Sequence, residues 1–548
     1  MTSIDSRIAG ESCLPESPSD VLAAISGALF ALECDYDVPN SELEIWLSKA
    51  SETLLTEIGI NVGVDEWTLD SHEVLNMALE GIDWPISPPR RFDEFLSFVR
   101  ALQILDRWHL PLVPSDTHRP MPKRRGHVVA EDRFSVDRAF GSTAEGIMIP
   151  ASAWGHPIHH RSDWILRDSV LTADPPMPLA AEGRPMVLRE LLAATAFLPS
   201  RLPVHDPRDI YSPKRYIKLS YSIDAQLDIL PISINEDADV IGIAPLLERE
   251  DDVAIELSPE KNSYSIRPTY SLDRLRRILK AALDGGVSIL FFPESSIDST
   301  NISSFQKEIR EQSRLYFKST QSLPRLRYIF AGFSNCLSPA REKVGENFVS
   351  IFDATGREII KQSKLFPWNL DSLQINRFGL DVDLGIAADV LYENIDIGDE
   401  LIVCDLAYGG RVINLICADV NENAPGDWLF AHARADWINA PIFDKSTCWT
   451  FDSRGILSSW ITRRAQRAAL LSNTRVVVTN SLALTARLNR CNVRRGDSRI
   501  YSRCGIGLLL DSTGETPVAK QVLVPMDQPT PVLATETWGD GWIDLRTA

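Results

Sequence analysis

Val287-Ser-Ile-Leu-Phe-Phe-Pro-Glu294 is a short apolar run that stops on a proline and a carboxylate. Two later segments share its form. Glu358-Ile-Ile-Lys-Gln-Ser-Lys364-Leu-Phe-Pro367 delivers a lysine, and Arg411-Val-Ile-Asn-Leu-Ile-Cys417-Ala-Asp419 delivers a thiol. Each run is rich in Ile, Val, Leu or Phe and lacks a polar alternation, which predicts strands buried on both faces. In layered α/β proteins, reacting groups collect just beyond the carboxyl ends of such strands. A carboxylate, an ammonium and a thiol gathered there have the makings of an activated nucleophile.

The flanking sequence extends the pattern. Tyr270 to Gly286 has the apolar spacing of an amphipathic helix, with Ser271 as its N-cap and glycines at its end. Ile397 to Arg411 leads into the cysteine run. Ala435-Asp-Trp-Ile-Asn-Ala-Pro441 follows it, then a helix–strand pair over Arg463–Asn480 and a hairpin strand over Gly505–Gly514. Taken in order, these blocks resemble the nitrilase, or carbon–nitrogen hydrolase, superfamily over roughly residues 236–526.

That resemblance implies a four-layer α-β-β-α sandwich of α/β class with a Glu–Lys–Cys site, preceded here by a mainly helical N-terminal domain. It also implies a role for each residue. Cys417 attacks an electrophilic carbon, Glu294 shuttles the proton, and Lys364 with the backbone N–H of Ala418 supports the developing oxyanion. Lys361 also stands near the expected lysine register, and the Lys-Leu-Phe-Pro spacing favours Lys364. Many members carry a further glutamate soon after the lysine. Here Trp368-Asn-Leu-Asp371 follows instead, so Asp371 is the expected substitute. Members also often have an aromatic residue directly after the cysteine, where this chain has Ala418. The implied activity is hydrolysis of a small non-peptide amide through a cysteine thioester, with no metal or organic cofactor. Two alternatives stay open: a catalytically weakened module of the same fold used for interaction or regulation, and an N-acyltransferase.

Length and composition bound the rest. The 548 residues suit several domains. Expected boundaries are a loose terminus over 1–17, a helical accessory domain over 18–110, an irregular Pro-, His- and Arg-rich region over 111–225, and the hydrolase-like domain over 226–548. Within the irregular region, Pro185 to Leu198 is expected to be a helix. No run of apolar residues is long enough to span a membrane, and no signal peptide is evident at the start. The eight cysteines are scattered without a Cys-x-x-Cys pair, as in a reducing, cytoplasmic setting. A net charge of −19 disfavours nucleic acid and anionic membrane as partners. The expected partners are a small amide substrate, further copies of the chain as a homo-oligomer, and a protein bound through the N-terminal region.

Three further features are weighed at sequence level. Trp154-Gly-His-Pro-Ile-His-His160 clusters histidines without an accompanying fourth ligand, and reads as a surface loop. His432 is the one histidine in the hydrolase-like domain available for a Cys–His pair. Residues 371–405 hold nine Asp or Glu and one Arg, which reads as a solvated acidic loop. Arginines between Arg487 and Arg503 are expected to neutralise that acidic surface or to line a subunit contact.

Overall fold

A computed structural model describes residues 215–223 and 239–538, the latter with gaps at 259–261, 336–343, 382–388, 407–409, 422–434, 446–459, 473, 498–499, 512–517 and 528–532. It also describes strands 146–150, 195–199 and 201–204, and a few positions between 21 and 101. The chain divides into two compact units, with the boundary between Leu202 and Pro203.

In the first unit, Val21, Ile25, Phe98 and Ala101 lie in helical turns and are buried. Gly146–Pro150 and Thr195–Pro199 pair as antiparallel strands. This corrects the helix expected over Pro185–Leu198 at its described end. Thr195 and Phe197 favour an extended backbone, and the ladder to Gly146–Pro150 overrides the local helical spacing. Most of the expected helical domain, and residues 111–145 and 151–194 of the irregular region with the Trp154–His160 cluster, lie outside the described residues.

The second unit begins with β1 (Arg215–Ile223), β2 (Asp239–Ile243), β3 (Val253–Ser258), β4 (Ser263–Pro268), α1 (Leu272–Asp284), β5 (Ile289–Phe291) and α2 (Ile302–Thr320). Next come β6 (Tyr328–Asn335), β7 (Glu346–Asp353), β8 (Glu358–Ser363), β9 (Asn369–Asp371), α3 (Ser372–Arg377), β10 (Val390–Glu393), β11 (Glu400–Leu406) and β12 (Gly410–Asn414). The chain continues through α4 (Ala418–Asn421), β13 (Trp437–Pro441), α5 (Trp460–Ser472), β14 (Arg475–Thr479), α6 (Ala483–Arg494), β15 (Arg503–Asp511), β16 (Val518–Pro525) and β17 (Ala534–Trp538). Because β1 pairs with β11, this unit starts upstream of the boundary expected at 226.

Two large mixed sheets form its centre. One runs β8-β7-β6-β5-β2-β17, with β5 parallel to β2 and β6. The other runs β16-β15-β14-β13-β12-β11-β1, with β12, β13 and β14 mutually parallel. Their inner faces meet in one core, where Ile289, Phe291 and Phe330 pack with Val412, Trp437, Val477 and Leu509. The alternate residues Leu290 and Phe292 point the other way, into Leu275, Ile278, Phe305 and Ile309 of α1 and α2. Strand side chains alternate in direction, so a run apolar at every position needs a packed layer on each side. That is why Ile-Leu-Phe-Phe is uninterrupted. Helix α5 packs on β14 and β15 outside the second sheet, which completes an α-β-β-α order.

A third, smaller sheet, β9-β10-β4-β3, was not anticipated. Its apolar face joins Tyr264, Ile266, Leu370 and Leu391 to Phe378, Leu380 and Leu484. It carries the walls of the cavity described next. Among the described residues, no helix is long and apolar enough to cross a membrane.

Candidate active site

The three residues singled out by the sequence stand just past strand ends. Glu294 follows β5, Lys364 follows β8 and Cys417 follows β12. All three are almost fully buried and line one cavity of about 490 Å³, its open mouth included.

Glu294 is set by close backbone packing. A Cβ at Gly332 of β6 would stand 2.2 Å from the Pro293 carbonyl and 2.7 Å from the Glu294 Cα, so only glycine admits this approach. The next residue, Ser295, turns the chain with φ +52°. One carboxylate oxygen, Oε1, accepts from Lys364 Nζ at 2.7 Å and from Asn347 Nδ2 at 2.8 Å. The other, Oε2, is buried with no hydrogen-bond partner among the described residues.

Lys364 is held between two carboxylates. Its second partner is Glu393 at the end of β10, whose Oε2 accepts from Nζ at 2.7 Å. Glu393 also accepts from Asn347 Nδ2 at 2.9 Å and from the Trp368 N–H at 2.7 Å. Burial opposes the charge on Lys364, but Glu294 and Glu393 outweigh it and raise the ammonium pKa well above its ordinary value. Lys364 therefore acts as a fixed cation. Lys361 is exposed and lies over the Phe348 ring, so the lysine facing the cavity is Lys364.

The second acid is therefore Glu393, which corrects the expectation for Asp371. Asp371 is exposed and caps α3: its Oδ1 accepts from the Gln374 N–H at 2.7 Å, in a reciprocal capping box. It also corrects the reading of 371–405 as a solvated loop. Glu393 and Asp405 of that stretch are buried. A signal was present in Val390-Leu-Tyr-Glu393. Leu391 and Glu393 share one face of a strand, and Tyr392 takes the exposed one.

Cys417 has φ +49°, a left-handed conformation rarely adopted by residues other than glycine and typical of strained functional turns. Its N–H donates to the Pro441 carbonyl at 2.9 Å, that of Asp419 to Ile416 O and that of Val420 to Cys417 O. The Ala418 N–H, at the start of α4 and next in sequence to the thiol, enters none of these bonds. Burial, then the charge of Glu294, pushes the Cys417 thiol well above its ordinary pKa, with Lys364 acting in the opposite sense. The resting sulfur is a neutral thiol.

Asp419 fastens two arms of the site together. Its Oδ1 accepts from the N–H groups of Leu365 and Phe366 at 3.0 and 2.9 Å, and its Oδ2 from Ile416 at 3.0 Å. The segment after Lys364 is thereby tied to the one before Cys417. Burial raises the Asp419 carboxyl to about 7, against the pull of Lys364 and the three amides.

Most of the remaining lining is apolar, with Ile255, Ile266, Leu370, Phe378, Leu380 and Leu484 in the walls, and Gln374 and Asp444 add polar groups. The arginines of α6 serve these walls. Arg487 donates to the Phe378 carbonyl at 2.7 Å and, with Arg490, pairs with Glu250, while Arg495 pairs with Asp381. His432 lies outside the described residues. Among the described residues, no group of three His, Cys, Asp or Glu side chains is placed to hold a metal ion.

No protein-family model and no curated protein matches the chain. Solved structures do. An amidase from Nesterenkonia sp. is similar over 56% of this chain and 92% of its own, at 13% identity and a TM-score of 0.32. Saccharomyces cerevisiae Nit3, a member of branch 10 of the nitrilase superfamily, is similar over 56% and 91%, at 14% identity and 0.32. The C. elegans NitFhit protein is similar over 55% and 61%, at 14% identity and 0.34.

Proposed function

We propose that this protein hydrolyses a small non-peptide amide through Cys417, Glu294 and Lys364. The observation that carries the reading is the juxtaposition in one cavity of a left-handed cysteine and a buried carboxylate with one oxygen unspent. In this reading Glu294 Oε2 takes the thiol proton as Cys417 Sγ bonds to the amide carbon. The carbonyl oxygen becomes an oxyanion, stabilised by Lys364 and the Ala418 N–H. The carbon–nitrogen bond then breaks, the nitrogen leaves with the proton from Glu294, and a thioester remains. Glu294 next takes a proton from water as it attacks the thioester. The acid product departs and the proton returns to sulfur.

A neutral resting thiol makes Glu294 a general base rather than a bystander to a preformed thiolate. Lys364 stays charged throughout, since two carboxylates hold its proton. Glu393 and Asn347 position the pair. Glu393 supplies the second carboxylate beside Lys364, which supports the catalytic reading over a weakened module.

Two measurements test the reading. Ammonia release from a panel of small aliphatic amides should be lost in Cys417→Ala. Alkylation of Cys417 across pH, mapped against the other seven of the eight cysteines, should change in Glu294→Gln and Lys364→Ala. No hydrolysis of any amide, together with a Cys417 no more reactive than the other cysteines, would sink it.

A further inference from the structure

The cavity holds one carboxylate for which the proposed chemistry has no use. Asp444 follows β13 by three residues and lines the same space as Cys417. It is firmly placed. Trp460 Nε1 donates to Oδ2 at 3.0 Å and the Lys445 N–H donates to Oδ1 at 2.7 Å. Asn480 fixes its backbone on both sides, accepting from the Asp444 N–H at 3.2 Å and donating to its carbonyl at 3.0 Å. Among the described residues, each carboxylate oxygen receives one donor, which leaves capacity for another.

The surroundings suit a cation. The Trp460 ring stacks on Trp368 at 5.5 Å, and Trp368 also lines the cavity, so an aromatic surface lies beside the carboxylate. Among the described residues, the carboxylates lining the space are Glu294, Glu393 and Asp444, against the ammonium of Lys364, which is already engaged twice; Cys417 and Tyr264 are its other ionisable groups. Lys445 and Arg377 act on Asp444 electrostatically but do not line the cavity. Burial pushes the Asp444 carboxyl upward, opposed by the Trp460 bond and the Lys445 charge. An anionic substrate would meet an acidic excess in a poorly solvated space. A protonated amine would find a fixed acceptor in Asp444, among largely apolar walls.

We infer that Asp444 is the specificity-determining residue of this site, and that its substrates are small amides whose short apolar chain ends in a protonated amine. This inference rests on the hydrolase reading above.

Three amides of near-equal size separate the possibilities on the full chain: 4-aminobutanamide (cationic), pentanamide (neutral) and succinamate (anionic). The wild type should favour the cationic amide over the neutral one by at least about ten-fold in kcat/KM, the order expected of one poorly solvated ion pair. Asp444→Asn should collapse that ratio and relax the exclusion of succinamate. Titration calorimetry of the same amides on Cys417→Ala protein, with and without Asp444→Asn, reads the preference without turnover. If nothing is hydrolysed but Cys417→Ala binds the cationic amide selectively through Asp444, the hydrolase reading fails and the specificity stands. Equal handling of cationic and neutral amides by the wild type overturns the inference, even if Asp444→Asn does not fold. So does an Asp444→Asn ratio equal to that of the wild type.

Discussion

Two buried ion clusters in this protein look alike in composition and differ in what they leave unspent. In the second sheet, Arg411 is fully buried and grips Asp405 with two parallel bonds, Nε to Oδ1 at 2.7 Å and Nη2 to Oδ2 at 2.9 Å. Tyr221 OH donates to the same carboxylate. The fork matches the carboxylate and consumes it. Around Lys364, two carboxylates share one ammonium and both accept from Asn347 Nδ2, yet among the described residues Glu294 Oε2 and Asn347 Oδ1 have no hydrogen-bond partner. The first cluster does not line the cavity, and the second opens onto it. Burial of charge alone therefore does not mark a site. An orphaned acceptor beside a strained cysteine is the more telling sign, because such an atom costs free energy unless it has something to receive.

The contrast can be broken first at the chemistry. Glu294→Gln should lower kcat for amide hydrolysis by about a thousand-fold, within the range typical of a lost general base, and this is read by steady-state ammonia release. Stability should respond most at the closed cluster. Asp405→Asn leaves the Arg411 charge buried without its partner and should cost about 3–5 kcal/mol in denaturant unfolding, while turnover per folded molecule holds. An equal loss of turnover would mean that the two clusters are coupled. Gly332→Ala probes how Glu294 is held. It should cost about 1–3 kcal/mol through overpacking, and reduce kcat by up to about a hundred-fold through misplacement of the base.

A pH dependence is also expected. The Asp419 carboxyl stands at about 7 in the folded protein against an ordinary 3.8, so the folded chain binds that proton more tightly than the unfolded chain. The stabilisation this lends is complete below the ordinary value and is lost as pH rises through about 7. The Tm of the wild type, taken relative to Asp419→Asn, should fall across that window and level off above it. A flat difference would show that the three amide donors keep Asp419 charged throughout.

How much of this was legible depends on how each residue reaches the site. Glu294 and Cys417 come from strands packed on both faces, and such strands announce themselves as unbroken apolar runs. Lys364 was legible through the Leu-Phe-Pro that follows it. Glu393 was legible only as a brief alternation, because its strand belongs to the small third sheet, where one face is exposed. Four residues of alternating character inside an acidic stretch resemble a loop until a partner strand is supplied. Asp371 was misread for a related reason. Proximity in sequence to Lys364 suggested contact, but β9 turns directly into α3, and the side chain is spent on capping. Asp444 carried no sequence signal at all, since its role depends on Trp460, Trp368 and Asn480 meeting around it.

The arginines of α6 have a consequence for how the cavity behaves in solution. Its Phe378 and Leu380 walls are apolar, but the segment that bears them is moored by Arg487 and Arg495. Arg487 and Arg490 in turn moor α6 to Glu250. Arg490 and Arg495 are partly solvated, and ions screen such pairs more than buried ones. The greasy side of this cavity thus hangs on moorings that salt can slacken. Its grip on an alkyl chain would then weaken with added salt, the reverse of what transfer from water alone would give.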